Sequence, residues 1–144
     1  MKDIIKNGAE QMGIMLDDKQ IGQFLEYARL LKEWNEKINL TAITDDEGIA
    51  IKHFLDSMSA ITTKHVNGKV IDVGTGAGFP GLVLKIANPQ ISLTLLDSLN
   101  KRLTVLKDIT SKISVNDIEF VHARAEDGGQ NAMYREKFDT VVSR

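Results

Sequence analysis

The centre of the chain reads Asp72-Val73-Gly74-Thr75-Gly76-Ala77-Gly78-Phe79-Pro80-Gly81. This run follows a short apolar, β-like segment that begins at Val70, and it precedes a helical pattern from Leu82 to Ala87. Glycine lets a backbone approach a ligand that a Cβ atom would block. A helix that begins after such a turn points its free N–H groups and its positive dipole end at that ligand. The run therefore predicts a strand, a ligand-binding turn and a helix.

The spacing of the glycines separates two kinds of ligand. A dinucleotide fingerprint, Gly-x-Gly-x-x-Gly, would need glycine at position 79, where the chain has Phe79. Glycine at 74, 76 and 78 with Asp72 two residues before is instead typical of S-adenosylmethionine-dependent methyltransferases. The pattern favours an adenosyl site over a turn with a purely structural role.

Acidic and polar residues follow the next two strand-like runs. Asp97 lies 23 residues beyond Gly74, where a carboxylate can accept hydrogen bonds from both ribose hydroxyls. The same residue could instead cap the following helix. His122, Ala125 and Glu126 follow the third run, where folds of this kind contact adenine, and they are equally compatible with an ordinary turn.

Alternating elements predict an α/β fold with a parallel sheet. Strand-like runs at 70–73, 91–96, 118–121 and 138–142 alternate with helical patterns. The preceding part reads as helical, and we divide the chain into an N-terminal helical segment (1–65) and part of an α/β domain (66–144). Its predicted helices cover 2–12, a stretch from the Asp17/Gln20 capping box through Ile38, and a stretch from a capping box at Thr44–Glu47 through Ile61.

Composition excludes several classes of function. Cysteine is absent, which excludes disulfide scaffolds and thiolate sites, and the three histidines show no metal-ligand spacing. A net charge of −2 argues against binding nucleic acid by bulk charge. No apolar run approaches the ~18 residues of a membrane span, and the N-terminus is charged where a signal peptide is apolar. We expect a cytoplasmic protein without a metal.

Several segments together resemble the GidB/RsmG family, bacterial methyltransferases that modify a guanine N7 in small-subunit (16S) ribosomal RNA. The matching stretches are Trp34-Asn35 through Asn39-Leu40-Thr41, Lys52-His53-Phe54-Leu55-Asp56-Ser57, Asp72 to Gly81, Asp97-Ser98 with Lys101-Arg102, Arg124-Ala125-Glu126, and Phe138 to Arg144.

The resemblance implies a Rossmann-like class I methyltransferase fold and S-adenosyl-L-methionine as cofactor. It places the cofactor against Gly74, Gly76, Gly78, Phe79, Ala125, Glu126 and Arg144, with Asp97 at the ribose. It also implies substrate-positioning roles for Arg124, Arg144, His53 and Asn39, and a small-subunit ribosomal RNA or ribosomal subunit as partner. The open alternatives are a methyltransferase for a small molecule or a protein, a nicotinamide-dependent oxidoreductase, and a non-catalytic nucleotide-binding module.

The resemblance also carries an expectation about length. Class I methyltransferases order their strands 3-2-1-4-5-7-6, and residues 70–142 supply the first four. We therefore expect an incomplete form whose cofactor binding is weakened and whose turnover is lost. An exposed fourth strand would then favour either self-association or partial disorder near the C-terminus.

Overall fold

The structure is a computed structural model, which describes residues 1–63, 66–124, 126 and 137–144. The helical part contains α1 (Lys2–Gln11), α2 (Asp18–Asn35), α3 (Asp46–Gly48), a π-helix (Ile49–Leu55), α4 (Asp56–Met58) and a 3₁₀-helix (Ser59–Thr63). The elements that follow are β1 (Lys69–Val73), α5 (Gly81–Ala87), β2 (Ser92–Asp97), α6 (Asn100–Lys112), β3 (Ile118–His122) and β4 (Thr140–Val142).

The four strands form one parallel sheet in the order β3-β2-β1-β4. Ile71 of β1 pairs with Thr94 of β2 on one side and with Val141 of β4 on the other. The central strands β1 and β2 are buried over most of their length, as expected when helices cover both faces of a parallel sheet. The predicted α/β class and the 3-2-1-4 strand order are confirmed.

Helix α2 begins at the predicted capping box. The Asp17 carboxylate accepts from the Gln20 N–H at 2.8 Å, and the Gln20 side chain accepts from the Asp17 N–H at the same distance. The predicted extension through Ile38 is wrong, because α2 ends at Asn35. There the Asn35 side chain turns the chain away by accepting from the Leu40 and Thr41 N–H groups, at 2.8 and 3.0 Å.

Two further helix starts differ from the prediction. Asp45 caps α3 instead of Thr44, because its backbone is extended and its carboxylate accepts from the Gly48 N–H at 2.9 Å. Pro80 is the N-cap residue of α5, which begins one residue before the predicted Leu82. The helix begins at Gly81, whose N–H donates to the carboxylate of Asp72 at 2.8 Å.

One apolar cluster joins the helical segment to the sheet. It includes Phe24, Tyr27 and Phe54 from the helical segment, with Leu84 and Leu95 from the α/β part. The rings of Phe24 and Phe54 lie 5.1 Å apart, and both are fully buried. Burying each such side chain contributes roughly 1.5–3 kcal/mol. The helical segment is thereby packed beside the turn that follows β1.

Candidate functional site

The glycine-rich turn lies at the carboxyl end of β1 and has an open side. Its start is tied to β2, because the N–H groups of Gly74 and Thr75 both donate to the Leu96 carbonyl, at 2.9 and 3.0 Å. Gly74 and Gly76 have φ angles of +73° and +57°, which L side chains rarely adopt. In the described part of the chain, a Cβ atom at either position would have no heavy atom within 4 Å. The turn thus has free space beside a bare backbone.

A buried carboxylate lies beneath this turn. One oxygen of Asp72 accepts from the Thr75 hydroxyl at 2.7 Å and from the Gly81 N–H at 2.8 Å. The other, Oδ1, is buried and has no hydrogen-bond partner among the described residues. Burial raises the pKa of Asp72 to about 6, although the bonds from Thr75 and Gly81 act in the opposite direction. Near neutral pH a negative charge therefore lies under the turn, and it favours a cationic ligand group nearby.

Asp97, at the end of β2, also holds the turn. Its two carboxylate oxygens accept from the Gly76 N–H at 2.8 Å and from the Leu99 N–H at 2.9 Å. The residue is 1% exposed, and Arg102 approaches to 3.7 Å. Each carboxylate oxygen can accept more than one hydrogen bond. The two hydrogen bonds that the structure shows for Asp97 come from backbone N–H groups. Hydrogen bonds from ribose hydroxyls to the same carboxylate remain a prediction.

Three rings support the far end of the turn. The Phe79 ring is buried, and the imidazole of His53 lies nearly parallel to it, with 4.3 Å between centroids and 13° between planes. Tyr27 also stacks on Phe79 at 5.8 Å, and its hydroxyl donates to the Ala77 carbonyl. Burial raises the pKa of Tyr27 well above its usual value, so the hydroxyl keeps its proton as a donor.

His53 is held from the loop that follows α2. Its Nε2 atom shares a hydrogen bond of 2.7 Å with the Thr41 hydroxyl, which also accepts from the Ile43 N–H. The Nδ1 atom is buried without a hydrogen-bond partner in the described residues. Burial lowers the pKa of His53, and the positive charge of Arg144 lowers it further, against an opposing effect of Asp56. The ring is therefore neutral at physiological pH.

Arg144 joins the end of β4 to the same cluster. Its guanidinium forms an ion pair with Asp56 at 3.2 Å and donates to Ser57 Oγ at 3.4 Å and to the Lys52 carbonyl. The guanidinium carbon lies 5.8 Å from the centroid of the Phe79 ring. The structure thus brings together Arg144, His53 and Phe79, which are far apart in the sequence.

Other predicted residues lie elsewhere or outside the described part. Asn39, Arg124 and Glu126 are exposed, and Ala125 is not among the described residues. His122 contacts the Ser98 carbonyl at 3.0 Å. Gly78 is buried, and a Cβ atom there would contact the hydroxyl of Tyr27, so this glycine serves packing more than ligand access.

Sequence reasoning missed several contributors to the site. Tyr27, Thr41, Asp56 and Ser57 were not among the predicted site residues, although three of them lie in the quoted motifs. Tyr27 lies inside the second predicted helix, whose apolar spacing is typical of core residues. Its hydroxyl was the only available signal, because a buried tyrosine usually directs its O–H to a partner.

The residues present fit S-adenosylmethionine. Open space runs beside Gly74 and Gly76, and the unpartnered oxygen of Asp72 is buried beneath them. Asp97 stands at the neighbouring strand end, as a ribose-binding carboxylate does in folds of this type. The described residues contain no cluster of histidine and carboxylate side chains that could hold a metal ion. They also contain no helix long and apolar enough to span a membrane.

Comparison with known proteins identifies the family. Residues 20–144 match the family model GidB, described as rRNA small subunit methyltransferase G. A ribosomal RNA small subunit methyltransferase G from Alkaliphilus oremlandii is 53% identical over 146 residues, covering 100% of this chain and 61% of that protein. The same-named protein of Clostridium novyi is 51% identical over 144 residues, covering 99% and 59%. The chain spans about 60% of the length of these curated relatives. By its match over residues 20–144, the chain belongs to the GidB family.

Proposed function

We propose that a protein carrying this sequence transfers a methyl group from S-adenosylmethionine to N7 of a guanine in small-subunit ribosomal RNA, in the cytoplasm. The observation that carries the proposal is the meeting of His53, Phe79 and Arg144 at the glycine-rich turn. These residues come from three of the segments on which the family resemblance rests. A turn that only bound a nucleotide would not need the helical segment and the end of β4 beside it.

The cofactor would supply an electrophilic methyl group on a cationic sulfonium. Gly74 and Gly76 would receive it along their open side, and Asp97 would accept from its ribose hydroxyls. The negative charge of Asp72 beneath the turn favours a cation over the anionic pyrophosphate of a dinucleotide. Phe79 also argues against a dinucleotide-binding site, because its buried ring occupies the position of the third glycine of the dinucleotide fingerprint.

The acceptor needs alignment more than proton transfer. Guanine N7 carries an in-plane lone pair and no proton, so methylation there requires no general base. Positioning of two reactants can supply roughly 7–11 kcal/mol of the barrier. A guanidinium from Arg124 or Arg144 can donate to guanine O6 and leave N7 free. Since the net charge is −2, we infer that the RNA is recognised as a shaped site and not through bulk charge.

The first experiment is calorimetric titration of the chain with S-adenosylmethionine, its demethylated product and NAD. We expect binding of the first two and weaker or undetectable binding of NAD. Tighter binding of NAD would contradict the cofactor assignment and would favour the oxidoreductase alternative.

The second experiment measures tritium transfer from labelled S-adenosylmethionine to small ribosomal subunits from cells that lack this methylation. Because the chain spans about 60% of its relatives, it is assayed alone and also extended with the unmatched part of the Alkaliphilus oremlandii relative. We expect 7-methylguanine in the RNA of subunits treated with the extended protein. Equal transfer to random RNA, a protein or a small metabolite would contradict the proposed acceptor.

A further inference from the structure

We propose that His53 is a positioning residue, whose imidazole supports the ring of Phe79 and so holds the glycine-rich turn in its ligand-binding shape. The inference rests on the proposed function for the identity of the ligand. The contacts that carry it belong to the ligand-free chain.

The far end of the turn depends on side-chain packing. Near its middle, Gly76 donates to Asp97, and Ala77 accepts from Tyr27. Phe79 is anchored through its backbone N–H, which donates to the Thr75 carbonyl at 3.1 Å, and through its ring. Of the rings packed on Phe79, His53 is the nearest, at 4.3 Å against 5.8 Å for Tyr27. The imidazole therefore sets where the Phe79 ring can lie.

The imidazole is itself fixed in place. Its Nε2 atom is bonded to Thr41, and the backbone N–H of Thr41 is in turn bonded to the Asn35 side chain at the end of α2. A chain of contacts thus runs from α2 through Thr41 and His53 to Phe79. Through it the helical segment determines the shape of a turn that belongs to the α/β part.

A residue that only filled space here would not need to be histidine. An apolar ring could stack on Phe79 without leaving a buried polar atom unpaired, whereas Nδ1 of His53 is buried with no partner in the described residues. An unpaired buried polar group costs free energy. What histidine adds is the bond to Thr41, which fixes the plane of the ring.

The test measures the affinity for S-adenosylmethionine by calorimetry in His53→Ala, Phe79→Leu and the double variant. We expect His53→Ala to weaken binding by up to about 10-fold, the range of an aromatic pair. If His53 acts through Phe79, the double variant will bind no worse than Phe79→Leu alone. Additive effects, or unchanged affinity in His53→Ala, would overturn the proposal.

Two more variants separate positioning from stability. His53→Phe keeps a ring but loses the bond to Thr41, so we expect it to recover part of the affinity. Leu30→Ala removes a buried side chain of α2 and lowers the melting temperature, but we expect its affinity to stay unchanged. If Leu30→Ala weakens binding as much as His53→Ala, the role of His53 is only structural. Should His53→Ala not fold, His53→Gln replaces it, because it removes the ring and keeps a polar group.

A second readout needs no ligand. Amide hydrogen exchange at Gly76, Gly78 and Phe79 reports whether the turn keeps its bonds to Asp97 and to the Thr75 carbonyl. We expect faster exchange at these three amides in His53→Ala than in Leu30→Ala. If neither the parent chain nor the extended protein binds S-adenosylmethionine, the proposed function fails, and this readout alone decides the role of His53. Equal exchange in the two variants would then overturn it.

Discussion

The guanidinium of Arg144 lies 3.2 Å from the carboxylate of Asp56, and this ion pair joins the end of β4 to the helical segment. The two side chains are 37% and 62% exposed, so the pair contributes on the order of 0–1 kcal/mol to stability. Its main consequence is geometric, because it holds Arg144 over the ring of Phe79.

Asp56→Asn and Arg144→Ala should therefore differ in their effects. We expect Asp56→Asn to change the free energy of unfolding in urea by less than about 1 kcal/mol. Arg144→Ala should in addition weaken the affinity for S-adenosylmethionine, and more than Asp56→Asn does. Arg29→Ala is the matched control, since Arg29 pairs with Glu26 on the exposed surface of α2. Equal cofactor affinities in all three variants would contradict a role for Arg144 in binding.

Gly76→Ala and Gly22→Ala should have opposite effects on stability. Gly76 has a φ of +57°, where an L residue costs about 1–2 kcal/mol, and its new methyl group would enter the open side of the turn. Gly22 lies exposed inside α2, where alanine is favoured over glycine by roughly 0.5–1 kcal/mol. Thermal unfolding and calorimetry check both effects. Cofactor binding by Gly76→Ala at the parent affinity would show that the ligand does not pass this residue.

Asp97→Ala should lower both stability and cofactor affinity. The substitution removes the buried acceptor for the Gly76 and Leu99 N–H groups, and hydrogen bonds to a charged group contribute about 1.5–3 kcal/mol each. Loss of the predicted hydrogen bonds to the ribose should weaken the binding of S-adenosylmethionine by about 1–3 kcal/mol. Urea unfolding and calorimetry measure the two effects, with the exposed Asp3→Ala in α1 as control. A loss of stability without a loss of affinity would leave Asp97 only as an anchor of the turn and of the loop before α6.

Asp72→Asn should remove a pH dependence of stability. Burial raises the folded-state pKa of Asp72 from 3.8 to about 6. The contribution of Asp72 to the free energy of unfolding is therefore greatest below pH 3.8 and is lost as the pH rises to about 6. That shift corresponds to about 3 kcal/mol. Asparagine can still accept from Thr75 and Gly81, so the variant should gain stability relative to the parent between pH 4 and 7. If the difference in free energy of unfolding between Asp72→Asn and the parent, measured in urea, does not change with pH, the raised pKa is contradicted.

The 144-residue chain should self-associate through β4. This strand pairs with β1 on one side and forms an edge of the sheet in the described part of the chain, with Val141 63% exposed. Exposed apolar edge strands pair with other chains, and lysine on the edge prevents this. Sedimentation should show a mass that rises with concentration and falls in Val141→Lys. Met15→Lys is the control, since Met15 is exposed between α1 and α2. A monomer at all concentrations would contradict the prediction.

Local chemistry made the α/β part predictable from sequence. Apolar runs ending at Asp97 and at the glycine turn indicate strands, and the glycines at 74 and 76 indicate a turn whose backbone a ligand can approach. The capping box at Asp17 and Gln20 placed the start of α2 for the same reason, since both partners lie within one helical turn. Elements whose cause is contained in a few neighbouring residues were predicted well.

Contacts between distant segments were not predictable in this way. The stack of His53 on Phe79 depends on how the helical segment packs against the sheet, and the pair of Arg144 with Asp56 depends on where β4 ends. The π-helix over Ile49–Leu55 has no pattern that distinguishes it from an α-helix. The family resemblance named His53 and Arg144, but it carried no information about which atoms they contact.

The parallel pairing of β1 with β4 has a consequence for the order of folding. Lys69 and Asp139, which bond to each other beside this pairing, lie 70 residues apart in the chain. Closing a loop of that length costs on the order of 4 kcal/mol in chain entropy. The pairing of β1 with β2 spans a much shorter loop and can form first, with Leu96 already bonded to Gly74 and Thr75. During synthesis, the glycine turn should therefore take shape while β4 is still inside the ribosome, and Arg144 should reach Phe79 after the turn has formed.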